Sequence, residues 1–174
     1  HGGVDPGTVY LDIYEKDINL EISLKLEEEL TKLGALVIMT RNGDYDLSSP
    51  GVTMRKLSDF NNRIKLINES GASIYLSIHM NYINDSKYGE TVIFYRDDQT
   101  LASLIQEEIN KELNYSREIK EIPSTTYMYS KLDIPGVLIE CGFLSNYNDR
   151  TNFLDEEFQQ KFAQIIANSI TKYY

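Results

Sequence analysis

Four residues have the types and settings that hydrolytic chemistry needs. His79 follows the apolar run Ile74-Tyr75-Leu76-Ser77-Ile78, and Glu140 follows Val137-Leu138-Ile139. His1 opens a glycine-rich segment, His1-Gly2-Gly3-Val4-Asp5-Pro6-Gly7, of the kind that needs unusual backbone angles or a close backbone approach. Glu15 stands in the first turn of a long predicted helix, where the helix dipole favours a carboxylate. Two imidazoles and a carboxylate form a zinc ligand set that leaves a fourth position for water, and a second carboxylate that is not a ligand can then act as base. His1, Glu15 and His79 would supply the first set and Glu140 the second. Each residue also has a plainer reading. A histidine closing an apolar strand is more often a hydrogen-bonded structural residue, and a glutamate in a first helical turn is usually solvated. Glu140 resists the plain reading more, since a carboxylate closing so apolar a run is costly to bury unpaired. No H-E-x-x-H pattern is present, so spacing alone does not choose between these readings.

Apolar periodicity supplies the elements that must position these residues. Ile18, Ile22, Leu26, Leu30 and Leu33 predict a helix over 16–33, stopped by Gly34. The run Ala35 to Thr40, closed by Asn42-Gly43-Asp44, predicts a buried strand, and residues 44–53 a loop. Leu57, Phe60, Ile64 and Ile67 mark one face of a helix over 54–69. Strands at 73–79 and 91–95 flank a polar loop, and a helix follows at 98–113. Residues 114–133 lack periodicity and are expected over the surface, with a short edge strand or helical turn near 126–129. A strand leading to Glu140 and a helix over 151–172, with Phe158, Phe162, Ile165, Ile166 and Ile170 inward, complete the chain. The alternation predicts a single-domain α/β fold: a mostly parallel twisted sheet with helices on both faces, its chemistry at the carboxyl ends of strands.

Composition narrows the function classes. The 174 residues suit one domain, and 41% hydrophobic with 25% charged residues argue for a folded globular chain. A net charge of −10 opposes nonspecific attraction to nucleic acid or anionic lipid. Cys141 is the one cysteine, which excludes an intrachain disulfide and any multi-cysteine metal site, so His1 and His79 are the nitrogen ligands on offer. Cys141 should face away from Glu140, because neighbours along a strand point to opposite faces. No apolar run of membrane-spanning length and no export signal occurs in the chain, and its abrupt start on His-Gly-Gly leads us to expect a preceding segment. Gly2, Gly3 and Gly7 read as turn formers, Arg41 and Asn81 as braces for loops. Most of the 13 tyrosines should be half-buried packing residues, with Tyr82, Tyr88, Tyr127 and Tyr129 candidates to line a glycan or peptide groove.

Taken in order, the blocks His1-Gly2-Gly3-Val4-Asp5-Pro6-Gly7, Glu15 at a helix start, Thr40-Arg41, Ser77-Ile78-His79-Met80-Asn81 and Leu138-Ile139-Glu140-Cys141-Gly142-Phe143-Leu144-Ser145-Asn146 are similar to the zinc-dependent N-acetylmuramoyl-L-alanine amidases of bacterial cell-wall metabolism. The stretches Glu15-Lys16-Asp17 and Gly34 to Leu47 most resemble the germination-specific members of spore-forming bacteria. The resemblance implies an amidase fold over 1–174, one catalytic zinc on His1, Glu15 and His79, and Glu140 as acid and base. It implies hydrolysis of the bond between N-acetylmuramic acid and L-alanine in peptidoglycan, in the spore cortex as a step towards muramic δ-lactam, outside the cytoplasm. The substrate partners would be the stem peptide and glycan, with an activating protein partner in addition. The apolar strand that normally leads into the first histidine is absent from this sequence, and we expect it upstream. A different zinc peptidase and a non-catalytic wall-binding relative are the alternatives to that activity.

Overall fold

Two short strands, β1 (Val9–Tyr10) and β2 (Ile13–Tyr14), form a hairpin that delivers the chain into α1 (Glu15–Lys32) in the computed structural model, which describes residues 1–174. The hairpin had no signal in the sequence. Its turn residues Leu11 and Asp12 sit at φ 50° and 59°, a conformation usually announced by Asn-Gly or Asp-Gly. Helix α1 buries Ile18, Ile22, Leu26 and Leu30, successive positions about one turn apart, whereas Leu33, beyond its last turn, is exposed.

The remaining elements are α2 (Arg55–Glu69), β3 (Tyr75–Asn81), β4 (Val92–Tyr95), α3 (Gln99–Leu113), β5 (Lys120–Glu121), β6 (Gly136–Phe143), α4 (Tyr147–Phe153) and α5 (Glu156–Thr171). Four strands build the main sheet in the order β3-β6-β4-β5. β3 runs parallel to β6 and β4 parallel to β5, while β4 and β6 are antiparallel, so the sheet is mixed and mainly parallel. Helices cover both faces, as the alternating pattern implies. On one face α1, α3 and α5 enclose a core of 21 buried residues that includes Ile93, Val137, Ile139 and Cys141. On the other, Ile64 and Ile67 of α2 pack with Leu138 against a cluster of four, Tyr75, Ile122, Tyr129 and Leu132.

Three expectations about elements are corrected. Residues 36–40 are not a strand: they make no backbone–backbone hydrogen bonds, and Leu36 and Ile38 are exposed. β3 is an edge that pairs only with β6, and residues 36–40 do not bond to its open side. The helix expected over 151–172 is two helices, because the Asp155 side chain accepts from Phe158 N at 2.8 Å and caps a fresh start. Residues 114–133 do not simply drape the surface, for Ile122, Tyr129 and Leu132 are buried and Tyr129–Lys131 form a 3₁₀ turn.

Candidate metal centre and active site

Glu15 lies three residues before Ile18, so the helical repeat places its carboxylate at the head of the inward stripe of α1, and the residue is 2% exposed. Its Oε2 accepts a hydrogen bond from Thr8 N at 2.7 Å. Its Oε1 accepts from Asn19 Nδ2 at 3.2 Å and from Met80 N at 3.3 Å. The same Oε1 stands 2.9 Å from His79 Nδ1 and 3.5 Å from His1 Nε2. His1, Glu15 and His79 thus each turn one possible ligand atom inward, all within 4.8 Å of one another. Burial alone would push the Glu15 carboxyl up; the hydrogen bond to His79 and the charges of the two imidazoles outweigh it and hold the group at about 2.

The loop that carries His1 is shaped by glycine and tied by charge. Gly7 has φ +67°, and a Cβ there would fall 2.6 Å from Glu15 Oε2 and 2.8 Å from His1 Cγ, so this glycine does more than turn the chain: it lets the loop close onto the site. Gly2 is packed as tightly, with Tyr45 O 2.3 Å from a Cβ position. Lys16 Nζ donates to Gly3 O at 2.9 Å and to Asp44 Oδ2 at 2.7 Å, while Asp44 Oδ1 accepts from Gly3 N at 2.8 Å. Arg41 is buried and donates to Lys16 O at 2.5 Å and Gly43 O at 3.0 Å, the bracing role expected of it. Asn81 braces too, with Oδ1 accepting from Tyr82 N at 2.7 Å and its carbonyl from Leu144 N at 2.8 Å.

His79 and Glu140 are direct register partners in the parallel pair of β3 and β6. Their side chains therefore emerge side by side on the thinly covered face, while Cys141 points the other way and is fully buried in the larger core. The register slips just beyond them, Asn81 pairing with Phe143, so β6 carries an extra residue after Glu140; such bulges recur beside active sites. Glu140 Oε2 is buried with no hydrogen-bond partner. Burial first, and the negative charge of Glu15 second, push its carboxyl up to about 8. Two neighbouring carboxyls driven to opposite ends of the scale divide their duties: one stays ionised, the other exchanges a proton near neutrality.

Reasoning from sequence missed two residues at this site and gave a third the wrong place. Asp5 places Oδ2 3.0 Å from His1 Nδ1, and Asn19 supports Glu15. For Asn19 its place four residues after Glu15 on α1 was a signal that could have found it; Asp5 lies in a loop with no such repeat. Tyr129 places its hydroxyl 2.9 Å from Ser77 Oγ and 3.4 Å from His79 Nε2, and it lies in a segment with no periodic signal. It is buried, so it does not line an open groove as proposed from sequence. Tyr127 does: an open groove of about 720 Å³ runs past it between Phe60, Met54 and the Val4-Asp5-Pro6 loop beside His1. Tyr82 packs on Tyr10, and Tyr88 lies against Phe143 beneath the Arg117 guanidinium.

Comparison with known proteins agrees with this fold. The N-acetylmuramoyl-L-alanine amidase family profile matches residues 1–172. The chain belongs to that family and is an enzyme of its class, a hydrolase of peptidoglycan. It is 38% identical over 182 residues to the germination-specific N-acetylmuramoyl-L-alanine amidase of Bacillus subtilis, an alignment covering all of this chain and 76% of that one. Among solved structures it is similar to the CwlD amidase of Clostridioides difficile in complex with the GerS lipoprotein, with a TM-score of 0.92 and 39% identity over 99% of this chain and 93% of that one. The catalytic domain of the amidase CwlV from Bacillus (Paenibacillus) polymyxa superimposes with a TM-score of 0.85 and 28% identity over 99% of this chain and 93% of that one.

Proposed function

We propose that this chain is a zinc-dependent amidase that cuts between the lactyl group of N-acetylmuramic acid and the L-alanine of the stem peptide. His1, Glu15 and His79 would hold the metal, and Glu140 would be the acid and base. The observation that carries the reading is the convergence of two imidazole nitrogens and one ionised carboxylate oxygen beside a buried, unpartnered carboxyl. That donor set fits zinc with three protein ligands and an open position. Zinc, when bound, supplies Lewis-acid chemistry, acidifying water and polarising a carbonyl. Glu140 does the proton work. Its Oε2 takes a proton from the attacking water and returns it to the leaving amine of L-alanine, without which an amide nitrogen leaves poorly. Glu15, held ionised by its neighbours, cannot take that part.

The catalytic unit we propose is residues 1–174 as one domain. Similarity to the germination-specific enzyme of B. subtilis supports a role in the spore cortex, where cleavage prepares muramic acid for δ-lactam formation by a separate deacetylase. The same similarity supports action outside the cytoplasm. The lipoprotein complex of the C. difficile relative supports a protein partner for this chain as well. A partner that orders the site would raise metal affinity and activity together, by linkage. No helix is long and apolar enough to cross a membrane.

Zinc analysis of the purified protein, followed by mass spectrometry of its peptidoglycan digest, tests the reading. The expected result is one zinc per chain and free L-alanine amino termini on intact glycan strands. Other new termini would move the activity to a different peptidase, and binding of the wall polymer without any cleavage would make the chain a wall-binding relative.

A further inference from the structure

One buried side chain touches three successive same-face residues of β3. The Tyr129 ring stacks on Tyr75, with centroids 6.1 Å apart and planes at 20°. Its hydroxyl then lies 2.9 Å from Ser77 Oγ and 3.4 Å from His79 Nε2, the latter long for a hydrogen bond. Tyr129 itself is 5% exposed, so water does not compete for that hydroxyl. A neutral imidazole carries one N–H, and the nitrogen that takes a metal is the other one. His79 turns Nδ1 towards Glu15 and leaves Nε2 to Tyr129. His1 is presented the opposite way round, with Nε2 towards Glu15 and Nδ1 beside Asp5. Each imidazole therefore has an outer partner of its own, a carboxylate for His1 and a phenol for His79.

We infer that Tyr129 is a positioning residue for His79: once a metal takes the place of the proton that Nδ1 shares with Glu15, the Tyr129 hydroxyl oxygen accepts the Nε2–H, its own proton goes to Ser77 Oγ, and the ring is held with Nδ1 as the ligand atom. The inference rests on the zinc reading above. Outer partners of this kind orient metal-ligating histidines, and their loss weakens metal binding about 10- to 100-fold. Packing alone is a separable explanation, because a phenylalanine keeps the stack on Tyr75 and loses only the hydroxyl. Tyr75 provides the contrast: its own hydroxyl is buried without a partner, so nothing in the site depends on it.

The test is Tyr129→Phe, read by zinc chloride titration against a chromophoric chelator and by ring ¹⁵N spectra. With two histidines in the chain, a single His79→Gln spectrum assigns both rings. Tyr129→Phe should melt within a few degrees of the parent in chelator, bind zinc about tenfold more weakly or worse, and in the zinc-loaded protein lose the Nε2–H tautomer preference of His79 while His1 keeps its proton on Nδ1. Ser77→Ala should show the same change in smaller measure, about threefold in affinity. Tyr75→Phe should change neither readout. Unchanged zinc affinity with an unchanged His79 tautomer in Tyr129→Phe overturns the inference. Should that variant fail to fold, an unchanged His79 tautomer in Ser77→Ala overturns it instead. A parent protein that binds no zinc overturns the metal reading, and the Tyr129 contact is then decided separately by whether the His79 Nε2 resonance of the metal-free protein shifts in Tyr129→Phe, no shift overturning it.

Discussion

The two faces of the sheet are built to different specifications from the same strands. Along β6, Val137, Ile139 and Cys141 enter the core of 21 residues, while Leu138 and Glu140 between them face the cluster of four. Along β3, Met80 is buried while Ser77 and His79 turn to the thin side. The thick face is dry, apolar and closed by three helices. The thin face holds His79, Glu140 and the open groove beside Asp5, under one amphipathic helix whose only buried residue is Asp59, while Glu15 reaches His79 from the first turn of α1, a helix of the other face. A strand pinned on one side by close packing can present costly polar groups on the other without losing its register. The difference teaches that here stability is concentrated on one face and most of the chemistry on the other, with Glu15 as the one group sent across from α1, so most substitutions should sort by face.

The largest effect belongs to the thin face. Glu140→Ala should reduce amide hydrolysis about 10³-fold or more while leaving zinc content intact; loss of the metal along with activity would make Glu140 a ligand and break the division. On the thick face Phe162→Ala, at a fully buried position, should cost about 3–5 kcal/mol in a urea melt while the folded fraction keeps its zinc. A third outcome concerns pH. Glu140 titrates at about 8 folded and near its ordinary 4.5 unfolded, so between those values the folded chain holds the extra proton and stability falls as pH rises. In chelator, Glu140→Gln should therefore be nearly neutral at pH 4.5 and stabilising on the order of 4 kcal/mol at pH 8. Glu15 has the opposite sign: its contribution is present above its ordinary carboxyl range and is lost as pH falls through about 2. The smallest effect is Gly7→Ala, which forces a side chain into a positive-φ turn against Glu15 and His1 and should cost about 1–3 kcal/mol together with weaker zinc binding. A zinc titration unaffected by this change would detach the loop from the site.

Much of the fold was legible because packing follows periodicity. The α1 stripe, the apolar run before Glu140 and the inward residues of α5 are where the 3.6 and 2 repeats place them. What escaped was set by tertiary partners. Leu36 to Thr40 has strand composition but joins no ladder, and Leu11-Asp12 turns a hairpin without turn chemistry. At the site, the four residues named from sequence are brought together, with His1, Glu15 and His79 convergent and Glu140 beside His79. Tyr129 was hidden because a buried residue in an aperiodic segment owes its place to a partner 52 positions away, Ser77, and not to any local pattern.

The open edge of β3 has a colloidal consequence. Within residues 1–174 taken alone, a strand bonded on one side only, together with exposed Leu36 and Ile38, offers a second copy of this stretch a template for pairing. The net charge of −10 works against that encounter by keeping like copies apart. Salt shortens the reach of the repulsion to about 3 Å at 1 M. Concentrated protein should therefore stay dispersed in dilute buffer and begin to self-associate as ionic strength rises, a trend that light scattering across a salt series would record.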